Sequence, residues 1–154
     1  MDGIFKNNPP NSDIRVLDVG CGKGYLTLAL YNYLAKKYPL EMQGIDLKEN
    51  VIEWGNTTAQ KLGFDKLNFV AGDIASVKDE NWSALIALHA CDIATDLAIA
   101  KGIQSKAKYI MVAPCCQKQV RKSMTPPPKW NPILKHGIQL EKQAVLLTLS
   151  LIHI

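Results

Sequence analysis

Three acids stand at nearly even intervals in the first half of the chain, each within or just after a short apolar run. They are Asp18 in Val16-Leu17-Asp18-Val19, Asp46 after Gly44-Ile45, and Asp73 after Val70-Ala71-Gly72. Behind the first of them comes Gly20-Cys21-Gly22-Lys23-Gly24. Glycines without Cβ atoms let a backbone turn tightly and lie against a ligand. The spacing is G-x-G-x-G, not the G-x-G-x-x-G that seats a pyrophosphate on a helix N-terminus. A carboxylate such as Asp46 at a strand end can accept hydrogen bonds from both hydroxyls of a ribose. The alternatives are a glycine-rich turn with no ligand and a variant nucleotide site.

A second set of reactive residues lies further along. Leu88-His89-Ala90-Cys91-Asp92 and Pro114-Cys115-Cys116-Gln117 each follow another apolar run. His89 has a side chain that titrates near neutrality, which suits a general base, or it holds its loop by hydrogen bonds. Asp92 is a second candidate base and also a natural helix N-cap. Asp96, one turn on, would orient His89 or face solvent. Cys115 and Cys116 invite covalent attack on a pyrimidine ring, but on the catalytic side they are read as two thiols lining a pocket and not as covalent nucleophiles. His89, Cys91, Cys115 and Cys116 are all zinc-ligand types, but adjacent cysteines strain a tetrahedral site, so no metal is expected.

The glycine segment with Asp18 resembles motif I of the class I S-adenosylmethionine (SAM)-dependent methyltransferases. The resemblance implies SAM as cofactor, bound by Asp18, Gly20, Gly22, Lys23, Gly24, Asp46, Leu47, Asp73 and Ile74. In this reading Asp18 suits the cationic end of SAM, Asp46 the ribose, and Asp73 the adenine amino group. Leu47 and Ile74 would sandwich the adenine ring. The stretch after the fourth apolar run is not Asn-Pro-Pro-Tyr, so it does not look like an enzyme that methylates exocyclic amines of nucleic-acid bases. Its Leu-His-x-Cys-x-x-x-Thr-Asp pattern and the later Pro-Cys-Cys, with Lys135-His136-Gly137-Ile138 and Glu141, resemble a smaller methyltransferase-domain family. That family includes enzymes that 2′-O-methylate a ribose in the tRNA acceptor stem, and bacterial members of unassigned substrate. The tRNA enzymes have Gly where this chain has Asp92, and carry zinc-binding segments that this chain lacks.

Apolar runs alternating with helical patterns are the signal of βαβ units, hence an α/β fold with a parallel sheet. Strands are predicted at Arg15–Val19, Met42–Ile45, Leu67–Val70, Ala84–Leu88 and Lys108–Val112. A helix over Tyr25–Lys37 would bury Leu26, Ala29, Leu30, Tyr33 and Leu34. Glu49–Leu62 reads as helical, stopped by Gly63. Another helix runs from an Asp92 cap to about Gln104, and one more spans Gly137–Thr148. Pro126-Pro127-Pro128 marks a loop. All the candidate residues then fall at the carboxyl ends of strands, where open α/β sheets bind ligands. The fold expected is a Rossmann-like class I methyltransferase sheet with helices on both faces.

One domain over 1–154 is expected, truncated after the fifth strand and its following helix, because class I sheets have two further strands. Residues 149–154 are set apart as candidates for non-native sequence, and the fifth strand should be an open edge. The content of 47% hydrophobic and 21% charged residues excludes a disordered chain. A signal-like start and a span of roughly 20 apolar residues are both lacking, and four cysteines form no disulfide framework, so a cytoplasmic protein is expected. Residues 1–100 hold nine Lys/Arg against thirteen Asp/Glu, whereas 101–154 hold nine against Glu141 alone. Such asymmetry points to a polyanion, here RNA, met by Lys118, Arg121, Lys122 and Lys129 beside Trp130. A solvated basic surface is the alternative. Three function classes follow: an RNA methyltransferase, a small-molecule methyltransferase, and a SAM-binding subunit without catalysis.

Overall fold

The computed structural model describes residues 2–7, 13–78, 81–88, 90, 93–113, 118–125 and 127–152. Among the described residues five strands form one sheet: β1 (Ile14–Val19), β2 (Leu40–Asp46), β3 (Leu67–Ala71), β4 (Ala84–Ala87) and β5 (Tyr109–Val112). Their order is β3-β2-β1-β4-β5, and every pair is parallel. The chain steps outward from β1 to β3 and then returns to the other side of β1. The order therefore reverses between β1 and β4, and a crevice opens there at the carboxyl ends.

Helices α1 (Asp2–Asn7), α2 (Tyr25–Leu34) and α3 (Glu49–Lys61) belong to one face. Ile14, Val16, Met42, Leu67 and Phe69 point to that side and join Phe5, Leu28, Tyr31, Leu34, Ile52 and Ala59 in a single buried cluster. The alternate residues Leu17, Val19, Ile45, Leu85 and Ala87 point to the other face. There they meet Ala98 of α4 (Ile93–Gln104), together with Ile74, Val77 and Trp82. Beyond β5 the described residues form helices α5 (Lys118–Ser123), α6 (Asn131–Leu134) and α7 (Gly137–Ile152).

The predicted strands and long helices are present within a few residues at each end. Gly63 follows α3 at φ +69°, as a C-terminal stop should. Helix α2 departs from expectation in two ways. It ends at Leu34, and Lys36 and Lys37 sit in the turn beyond it. Its buried residues are Thr27, Leu28, Tyr31 and Leu34, while Leu26 and Tyr33 are exposed. The helix is apolar almost all round, so periodicity alone could not choose its inner face. The choice falls to a polar pair: the Thr27 hydroxyl donates to Asp18 Oδ2 at 2.6 Å in the buried interior. A buried carboxylate needs such a donor. The sequence also gave no sign of α1, α5 or α6, which are six, six and four residues long.

Both sheet edges are distinctive. Strand β5 pairs only with β4 among the described residues. At β3, the outward N–H and C=O of Phe69 are met by a side chain. The Asn56 amide of α3 donates to Phe69 O and accepts from Phe69 N, both at 2.8 Å. Asn56 thus supplies the pairing groups of one residue of a further strand, which blunts an exposed edge.

Candidate functional site

The glycine loop is held by the strand beside it. Gly20 N and Cys21 N both donate to Ile45 O of β2, at 2.8 and 3.1 Å. Gly22 N donates to Asp46 Oδ2 at 2.9 Å, and Asp46 Oδ1 accepts from Lys48 N at 3.1 Å. Gly20, Gly22 and Gly24 all have positive φ, in a region of backbone that side-chain-bearing residues avoid, whereas Cys21 and Lys23 between them do not. Each Asp46 oxygen keeps a lone pair for a further donor.

Beside this loop lies a cavity of about 220 Å³ at the switch point. Gly20, Asp46, Leu47, Asp73 and Ile74 all line it, so five of the predicted cofactor residues converge. Ile74 is buried, whereas Leu47 is 72% exposed and stands at the rim. Asp73 Oδ1 accepts from Ala75 N at 2.8 Å, which fixes the short 3-10 turn that carries Ile74. Ala90, Ala94 and Leu97 complete the opposite wall. These three were missed in the sequence, though Ala94 and Leu97, three apart, fall on one side of α4.

The other predicted cofactor residues lie off the cavity lining. Asp18 is 5% exposed and turned to the α2 side of β1, opposite Val19, which does line the cavity. Lys23 is exposed, Gly22 is half-buried and Gly24 is buried. Cys21 is half-buried beside Asp18 and Asp46. Desolvation first, then these two carboxylates, push its thiol up to about 12 from the ordinary 9.0. Alkylation mapped by peptide analysis at pH 8 is expected to leave Cys21 unmodified in the folded protein and modify it in urea. The sign for stability follows. Below pH 9 the thiol is protonated in both states and adds no pH dependence. Between 9 and about 12 only the unfolded chain releases the proton, so stability should fall with rising pH over that window.

His89, Cys91, Asp92, Cys115 and Cys116 lie outside the described residues. Asp96 is exposed in the first turn of α4. Among the described residues no three His, Cys, Asp or Glu side chains come together as a metal site, and no helix is long and apolar enough to cross a membrane.

The basic half of the chain is partly internal. Lys101 is 7% exposed, with its Nζ donating to Val77 O, so it ties α4 to the turn after Asp73. Arg121 pairs with Glu141 of α7 at 3.7 Å. Lys122, Lys129 and Lys135 are exposed. Trp130 is 40% exposed and borders a cavity of about 530 Å³ with Met124, Leu134 and Leu147.

A parallel sheet with a glycine turn and two strand-end acids around a switch-point crevice places the chain among the open α/β domains. The chain belongs to the family described as a methyltransferase domain, whose model matches residues 2–123. A malonyl-[acyl-carrier protein] O-methyltransferase of Priestia megaterium (strain DSM 319 / IMG 1521) is 34% identical over 77 residues, 49% of this chain and 26% of that protein. Solved structures share the fold. The [4+2]-cyclase SpnF superposes with a TM-score of 0.54 at 21% identity, over 68% of this chain and 39% of that one. A geranyl diphosphate methyltransferase in complex with SAM gives 0.52 at 18%, over 62% and 38%. The chain thus spans about a quarter of the curated relative and under two fifths of these two structures.

Proposed function

We propose that this chain binds SAM in the 220 Å³ crevice and serves a methyltransferase. The observation that carries this reading is Asp46. Its carboxylate borders the crevice, its two oxygens are already oriented by Gly22 N and Lys48 N, and Asp73, after the neighbouring strand β3, lines the same crevice. Such a group takes a ribose diol without reorganising, while Leu47 and Ile74 flank the place for the adenine. Family membership supports the same cofactor, as does the structural neighbour solved in complex with SAM. Methyl transfer is a displacement: the acceptor attacks the methyl carbon, the C–S bond breaks, and S-adenosylhomocysteine leaves. Orienting the acceptor is the protein's main contribution, with proton removal where the acceptor needs it. His89 and Asp92 after β4, and Cys115 and Cys116 after β5, are the residues proposed for that side.

For the acceptor, we propose RNA held by Lys118, Lys122 and Lys129, with Trp130 offering an exposed ring for stacking. The second reading is a small or carrier-bound acceptor. It is favoured by the apolar cavity that Trp130 borders, by the Arg121–Glu141 pair, and by the relative named for malonyl-carrier methylation. Reversal of Lys118, Lys122 and Lys129 to Glu separates the two and leaves the Arg121 pair intact. RNA affinity should collapse, its salt slope dropping by roughly 2–3 units, while SAM binding survives. Undetectable RNA binding by the unaltered chain at low salt, with methyl from labelled SAM appearing in metabolite or carrier-protein pools, would transfer the assignment to the second reading.

A further inference from the structure

Phe69 stands on edge strand β3 yet is only 4% exposed. Three glycines from three elements make room for its ring. A Cβ on Gly24 of the cofactor loop would lie 2.6 Å from Phe69 Cζ. A Cβ on Gly44 of β2 would lie 2.6 Å from Cδ1, and one on Gly55 of α3 would lie 3.0 Å from Cγ. The ring therefore rests against bare backbone on three sides, its tip under the loop and its base against α3. Its backbone is fixed as well, by the two 2.8 Å bonds to the Asn56 amide. None of this contributes an atom to the crevice lining.

We infer that Phe69 is a positioning residue for the cofactor loop, a wedge clamped by Asn56 that props Gly24 and thereby holds the Gly22 amide on Asp46. The loop has a particular need for one. Three glycines at positive φ lose more conformational freedom on folding than any other residues would. Left alone, the turn would sample many shapes, and a ligand would have to order it on binding. A rigid ring pressed on the third glycine removes that freedom before the ligand arrives. The Asn56 clamp matters because, among the described residues, β3 has no outer neighbouring strand to stop Phe69 from shifting along or away from the sheet.

The ligand in this inference rests on the SAM reading, but its first test does not. Amide hydrogen exchange is followed by NMR in the ligand-free chain for the unaltered protein, Phe69→Leu and Ile86→Val. Ile86 is buried on the same sheet face and serves as a control for general loss of core packing. In Phe69→Leu, exchange at Cys21, Gly22 and Gly24 should rise about tenfold beyond any change at β1 and β4 amides. SAM affinity by calorimetry should fall about tenfold, with Ile86→Val close to unaltered. A uniform rise in exchange, matching that of Ile86→Val, would make Phe69 an ordinary core residue and overturn the inference. If Phe69→Leu does not fold, Asn56→Ala keeps the ring and releases its backbone. It should show the same loop-confined rise, and a loop as protected as in the unaltered chain would overturn the wedge. An unaltered chain that binds no SAM would remove the cofactor reading, and the exchange data alone would then decide the wedge.

Discussion

A Gly24→Ala protein is expected to lose roughly 2–5 kcal/mol of stability, the sum of two separate penalties. Gly24 has φ +68°, where a side-chain-bearing residue costs about 1–2 kcal/mol. The new methyl would also meet the Phe69 ring 2.6 Å away, and overpacking of this kind costs about 1–3 kcal/mol. Against a typical total of about 5–15 kcal/mol, that is a large fraction. Gly22→Ala separates the two penalties. It has φ +54° but nothing within 4 Å of the added Cβ, so only the backbone strain applies. Gly63→Ala, at φ +69° with open space around it, repeats that control at the end of α3. Urea unfolding should therefore rank Gly24→Ala clearly below Gly22→Ala and Gly63→Ala, which should resemble each other. Equal losses at all three would mean that the ring gives way and does not press on the loop.

The contrast among these glycines shows what a sequence can and cannot carry. Gly20, Gly22 and Gly24 announce a turn because their spacing follows an apolar run. Nothing in the sequence announces that Phe69, more than forty positions later, fills the space they leave. The order of strand, glycine turn, helix, strand and acid was legible since each step depends on neighbours within a few positions. Asp46 and Asp73 reach the crevice because both close parallel strands, and parallel strands end at the same side of a sheet. Asp18 illustrates the limit. It belongs to the same series, but the two-residue alternation of β1 turns it to the α2 face, where it fixes the rotation of α2 through Thr27. Lys101 and Asn56 read as ordinary surface residues of amphipathic helices. Their roles come from tertiary partners, Val77 O and the Phe69 backbone, that no local pattern encodes. The short helices α5 and α6 are too brief to build a periodic signal.

Asp46→Ala is expected to weaken SAM binding roughly 5- to 150-fold, the equivalent of about 1–3 kcal/mol. The carboxylate does two things at once. It faces the crevice where a ribose diol would donate to it, and it accepts Gly22 N at 2.9 Å, so it also sets the loop against which the ligand packs. Alanine removes both, leaving ligand hydroxyls and a backbone N–H without their acceptor. Asp46→Asn divides the effect. A carboxamide has one acceptor oxygen, so it can keep Gly22 or Lys48 but turns a donor toward the other. Its affinity should fall between those of alanine and aspartate. Calorimetry with SAM and with S-adenosylhomocysteine then identifies which part of the ligand Asp46 serves. The two ligands share the ribose and differ in the sulfonium charge. Equal losses for both place the carboxylate on the ribose, whereas a larger loss for SAM places it on the cationic end. Unchanged affinity for both in Asp46→Ala would take Asp46 out of the site, and with it the orientation of the cofactor along β2.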